Sequence, residues 1–177
     1  MKCLYYLSPS LDMSKRISDD LHEAGILDWY IHVISKDETG LSQKHIHSSN
    51  YLETLDLFRG TTIGGIIGFV VSMLIVAIAI KTEPFGFPLS NTIYFLMVAF
   101  LTLFGIWEGG LYGIDSENKK IQPFQKEINA GKYLVLVYAA KDDEKKVRLM
   151  MEDKHPESKL VATDRHFVNP FSKLKVV

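Results

Sequence analysis

The sequence predicts an α+β fold split in its middle by a membrane-spanning helical hairpin. Three observations carry this. Thr61 to Ile80 is an uncharged run of twenty residues, and a second uncharged run goes from Asn91 to Trp107. At ~1.5 Å per residue, each is long enough for the ~30 Å hydrocarbon core of a bilayer. Before and after this pair, the chain shows strand-like and helix-like apolar spacing in the order strand, helix, strand.

Lys2 to Leu7 is short, rich in Tyr and Leu, and stopped by Ser8-Pro9-Ser10, as expected of a strand followed by a helix start. From Leu11, the residues Met13, Ile17, Leu21 and Ala24 recur at helical spacing, with Asp19, Asp20 and Glu23 on the other side. Gly25 supplies the stop. Trp29 to Ser35 alternates as a strand, with Tyr30, His32 and Ile34 on one face and Trp29, Ile31 and Val33 on the other. Residues 1–36 thus form one β-α-β half. Residues 37–59 are expected to be a loop and a linker helix: Lys36 to Ser49 has no apolar period, whereas Asn50 and Glu53 have capping-box spacing ahead of Leu52, Leu55 and Phe58.

Residues 60–113 form the hairpin, with spans at about 61–80 and 91–112 and a break holding Lys81, Glu83, Pro84 and Pro88. Residues 114–131 are a linker with a short amphipathic helix marked by Ile121, Phe124 and Ile128 and ended by Gly131. Tyr133 to Ala139 is apolar on both faces and reads as the central strand. Asp142 or Asp143 caps a helix bearing Val147, Met150 and Met151, which Pro156 closes, and Lys159 to Thr163 is a last strand. Residues 132–177 are then the second β-α-β half and tail. Two such halves make a ferredoxin-like sandwich of four antiparallel strands with two helices on one face. The strands are apolar on both sides, so the other face needs a cover: the 121–128 helix, a second copy of the chain, or a different protein.

The halves meet only if both lie on one side of the membrane, as a two-span hairpin requires. The turn offers Lys81 alone, whereas Arg59, Lys119, Lys120 and Lys126 flank the other ends, so both termini are expected to be cytoplasmic. Met1 to Ser10 has no apolar stretch long enough for a signal peptide. A net charge of −1 and a pI near 6.6 give no overall basic field for nucleic acid. The single cysteine, Cys3, sits in an apolar run and is expected to be a buried thiol.

Within the hairpin, Gly60, Gly64, Gly68 and Ser72 recur at every fourth residue, as do Gly105, Gly109 and Gly113. Such rows let helix backbones approach closely, either within one hairpin or between protomers; a lipid-facing groove is the remaining use. Glu108 falls near the cytoplasmic edge, where it is expected either to pair with Arg59 at the end of the antiparallel span or to snorkel; an ion or proton pathway is the other role for this acid. His45 and His47, with His32 as a third, are the weak metal candidates, and no metal is assigned. No Walker-type loop, dinucleotide fingerprint, CxxC, HExxH or nucleophile elbow occurs, so neither a catalytic residue nor a cofactor is assigned.

The strand ending His32-Val33-Ile34, the Leu57-Phe58-Arg59-Gly60 entry, the Gly105-Ile106-Trp107 exit followed by Gly113-Ile114, and the Phe124 helix ending Ile128-Asn129-Ala130-Gly131 resemble small bacterial inner-membrane proteins of unknown function. Such proteins are sometimes labelled magnesium transporters. Tyr94, Phe95, Phe100 and Phe104 make the second span less Gly/Ala-rich than that pattern. The resemblance implies a two-pass protein of the bacterial inner membrane. The expected activity is non-enzymatic: a regulatory, sensory or scaffold protein whose cytosolic domain binds itself, another membrane protein or a small ligand. The alternative is an ion transporter or channel of oligomerised hairpins, with Glu108 lining the pore.

Overall fold

The Tyr- and Leu-rich run of Lys2 to Leu7 forms strand β1 (Lys2–Ser8), and Ser10 then starts helix α1 (Leu11–Glu23) by accepting from the Met13 amide at 3.3 Å. The helix ends in a Schellman turn. Gly25 takes φ +88, its amide donates to the His22 carbonyl and the Ile26 amide donates to the Leu21 carbonyl, which fixes Ile26 inward. Strand β2 follows (Ile31–Ile34), shorter than the alternation predicts because residues 28–30 tighten into a 3-10 turn. In this computed structural model, the described residues are 1–49, 54–165, 169 and 172–177. The Asn50–Glu53 capping box and Leu52 therefore lie outside them.

The stretch 36–49, expected as a loop, holds helix α2 (Glu38–Gln43). Asp37 accepts from the Gly40 amide at 2.9 Å, and Leu41 and Ile46 are buried. Two inward side chains are too few to make a period, so tertiary burial rather than local pattern holds this turn of helix. Helices α3 (Leu57–Thr82) and α4 (Asn91–Ile114) each run past the uncharged cores from which they were read, because Leu57 to Gly60 and Lys81-Thr82 continue the first without a break. Helix α3 stops at Glu83 in the left-handed region (φ 42), and Ser90 caps α4 by accepting from the Ile93 amide. A 3-10 turn at residues 122–124 leads into α5 (Gln125–Asn129), which Gly131 at φ +86 terminates in the same Schellman arrangement as Gly25. Then come β3 (Tyr133–Ala139), α6 (Asp143–Lys154), β4 (Lys159–Asp164) and a short strand β5 (Lys175–Val176). Asp142 precedes α6 but makes no side-chain cap bond.

The chain divides into two compact units: residues 1–54 with 119–177, and residues 55–118. The first is an α+β unit around one antiparallel sheet of order β2-β3-β1-β4-β5. Strand β1 lies between β3 and β4, with Tyr5 opposite Leu136 on one side and Ala162 on the other. On one face, Leu4, Tyr6, Val135 and Val137 meet Ile17 and Leu21 of α1 and Val147 and Met151 of α6. On the other, Cys3, Tyr5, Leu134 and Leu136 pack against Ile121, Phe124 and Ile128. Of the three expected covers for the second apolar face, the 121–128 segment is the one that packs on it. Cys3 is buried.

The second unit is α3 packed along α4. Both helices are long and apolar enough to cross a membrane, with mean hydropathy of 2.8 and 1.6 over their most apolar stretches.

Candidate functional site

The helix pair of the second unit is built on the small-residue rows. Gly60 and Gly64 of α3 face Gly105, Gly109 and Gly113 of α4, backbone against backbone. A Cβ added to Gly64 would overlap the Gly105 carbonyl oxygen and stand 2.9 Å from the Gly109 Cα; one on Gly105 would stand 2.9 Å from the Gly68 Cα. Gly113 meets the backbone of Asp56 and Leu57 in the same way, and Gly68 meets Leu101 and Thr102. Ser72 continues the row, fully buried, with its hydroxyl donating to the Phe69 carbonyl at 2.7 Å. Two glycines outside the every-fourth pattern also belong to the contact: Gly65 receives Ile106, and Gly110 receives Thr61. The doubled glycines, Gly64-Gly65 and Gly109-Gly110, were the signal for them, since adjacent small residues widen a stripe by ~100°.

Arg59 and Glu108 are not brought together: among the described residues neither forms an ion pair within 4 Å. At ~100° per residue, Arg59 falls on the side of α3 away from the Gly60–Gly68 row, and Glu108 lies well off the Gly105–Gly113 row. The close backbone contact thus turns both charges outward, and Glu108 is exposed.

Of the three histidines, His32 and His47 come together and His45 does not. His45 takes φ 52 at the end of α2, the left-handed position where a glycine commonly sits, and is exposed. That bend separates it from His47, whereas an extended chain would have kept them on one face. His47 instead lies 3.5 Å from Asp28, with its ring edge-on to His32 at 5.0 Å, while Asp28 contacts His22 at 3.2 Å through its other oxygen. Among the described residues, no group of three or more His, Cys, Asp or Glu is arranged to hold a metal ion.

Three polar arrangements in the α+β unit join residues far apart in the chain, which gives them no sequence signal beyond the i,i+4 spacing of Glu144 and Arg148. Lys120 is buried and, among the described residues, donates to Asp164 Oδ2 at 2.6 Å, Ser172 Oγ at 2.7 Å and the Asn169 carbonyl at 2.9 Å. Asp20 accepts from Lys154 at 2.6 Å and lies 2.8 Å from His155 Nε2; these contacts, Lys154 first, hold its carboxyl below the usual range. Glu144 is likewise held down by Lys2 at 2.7 Å and by Arg148. Burial pushes the Tyr6 phenol up to about 12, and burial followed by its bond to Asp37 raises Tyr133.

Among the clefts of this unit, two bear on the polar groups just described. One of about 440 Å³ is bounded by Tyr6, Arg148, His155 and Ser158. The larger of the two, of about 660 Å³, lies where β4 ends and β5 begins, beside Lys2. Comparison with family models and with curated proteins finds no match to this chain.

Proposed function

We propose that the chain is a two-pass integral protein of the bacterial inner membrane, with a ferredoxin-like cytosolic domain that acts as a non-enzymatic binding module. The observation that carries the reading is the glycine-to-glycine packing of α3 and α4. It consumes the small-residue rows inside the pair and leaves Ile66, Ile67, Leu74, Phe95, Phe100 and Leu103 exposed all round the outside. An apolar outer surface of this extent is a liability in water and an asset in hydrocarbon. The ferredoxin-like assignment is supported by the strand order, in which β1 sits between β3 and β4 and each half supplies one helix to the same face. The assignment as a binding module rests on a domain rich in surface clefts and charge clusters, which is where a ligand or a partner protein would engage. Its place beside a membrane suits a regulatory, sensory or scaffold task, and the resemblance to small inner-membrane proteins points the same way.

The test is topology. A cysteine at Ser90, in a variant with Cys3 replaced by Ser, should label from outside intact cells with an impermeant maleimide. One at Lys141 should label only after lysis. Release of the protein by alkaline carbonate, or labelling of Lys141→Cys in intact cells, would refute the assignment.

A further inference from the structure

We propose that the cleft bounded by Lys2, Arg165, Lys173 and Lys175 binds a phosphate-bearing anion. The inference deepens the binding-module reading by naming the ligand's chemistry, and it concerns the α+β unit whether or not the hairpin enters a membrane. Four cations line one opening in a chain whose net charge is −1. The sheet brings them together: Lys175 on β5 pairs with Thr163 on β4, and Thr163 pairs with Leu4 on β1, two residues from Lys2.

Asp164 is the acid among the lining residues described, and it is already spent. Its carboxylate is fully buried against the Lys120 ammonium and accepts from Ser172 at 3.1 Å, so it offers no counter-charge to the rim. Lys2 shares Glu144 with Arg148. Arg165, Lys173 and Lys175 are exposed, and none of them forms an ion pair among the described residues. Like charges gathered on one rim repel, and the natural relief is an anion that several of them contact at once. Phosphate fits best. Arg165 provides a planar fork for two of its oxygens, the two lysines provide point charges, and the Thr163 hydroxyl at the lining adds a neutral donor. The volume of about 660 Å³ exceeds the needs of one orthophosphate, so the group belongs to a larger molecule: a soluble phosphate ester or an anionic lipid headgroup.

The experiment uses the full chain in phosphatidylcholine nanodiscs, titrated with inorganic pyrophosphate by calorimetry. Saturable binding is expected, weakened about tenfold or more by Lys173→Glu with Lys175→Glu. Lys141→Glu, an exposed charge reversal outside the cleft, should leave it unchanged. If the double variant melts below the parent, Arg165→Gln alone provides the same comparison. Repeating the titration in discs containing phosphatidylglycerol separates the two sources. Competition assigns the site to lipid headgroups, and undiminished binding assigns it to a soluble phosphate. Absence of saturable binding in phosphatidylcholine discs, or equal weakening by Lys141→Glu, would overturn the proposal. Neither result depends on the labelling that tests the topology, so the two readings fail separately.

Discussion

Replacing Gly64 by Ala adds one methyl group where α3 and α4 touch through their backbones. The new Cβ would overlap the Gly105 carbonyl oxygen and come within 2.9 Å of the Gly109 Cα, against an ordinary contact of 3.4–4 Å. Neither obstacle is a side chain that can rotate away, so the helices must separate by ~0.5–1 Å, a gap that forfeits a quarter to a half of each dispersion contact. The Gly60/Gly109 and Gly68/Gly105 approaches on either side open with it. Losing two or three weak Cα–H···O contacts at ~0.5–1 kcal/mol each, along with that dispersion, costs roughly 2–3 kcal/mol. Alanine's better helix propensity returns ~1 kcal/mol, leaving a net loss of about 1–2 kcal/mol. For a chain of this size, that lowers the melting midpoint by roughly 2–8 °C. The assay is far-UV circular dichroism of the full chain in a mild nonionic detergent. Ala77→Leu serves as control, since Ala77 lies on the exposed side of α3. A Gly64→Ala protein that melts at or above the parent would mean that the propensity gain is unopposed and that the glycines do not bear on one another.

Phe124→Ala should uncover the sheet face formed by Tyr5, Leu134 and Leu136, at a cost of about 3–5 kcal/mol, and should raise binding of an apolar dye; unchanged stability and dye binding would show that the 121–128 segment is not the cover. Lys120→Met strands the buried Asp164 carboxylate and should destabilise the α+β unit by roughly 3–5 kcal/mol, whereas Lys120→Met with Asp164→Leu should recover most of the loss; denaturant midpoints of the three proteins decide this. Asp20 and Glu144 titrate below their ordinary 3.8 and 4.5 when folded, so their contribution is complete above those values and is lost as pH falls through the folded ones. Urea midpoints measured from pH ~6 down to ~2 should therefore decline less steeply in Asp20→Asn, and an unaltered acid limb would remove Asp20 from the account.

Some of this molecule is written locally. A run of twenty uncharged residues settles a helix long enough for a bilayer, and the short apolar runs Leu4 to Leu7 and Tyr133 to Ala139, each bounded by turn or polar residues, settle strands. Gly25 and Gly131 settle where two helices stop, because the left-handed turn that ends them strains any residue with a Cβ. These features depend on the backbone and its nearest neighbours, and so they are legible as period and composition. The every-fourth glycines are legible too, as stripes; that they meet one another within one chain is a matter of tertiary packing.

What lay beyond the sequence depends on register and on distance along the chain. Alternation shows that both faces of the sheet are apolar, but only packing selected Ile121, Phe124 and Ile128 as the cover of one. Spacing places Arg59 and Glu108 at the same level, yet the rotation of each helix about its glycine row turned them apart. Leu41 and Ile46 carry no period, and α2 exists because the core accepts them. Lys120 and Asp164 are separated by 44 residues and join because the segment starting at Ile121 packs on the sheet that contains β4; the pairing of β4 with β1 and β5 gathers Lys2, Arg165 and Lys175 around one cleft. Local sequence determines which elements form, since hydrogen bonding and side-chain period act over a few residues. Which charges share a pocket is decided by strand order, a property of the whole chain.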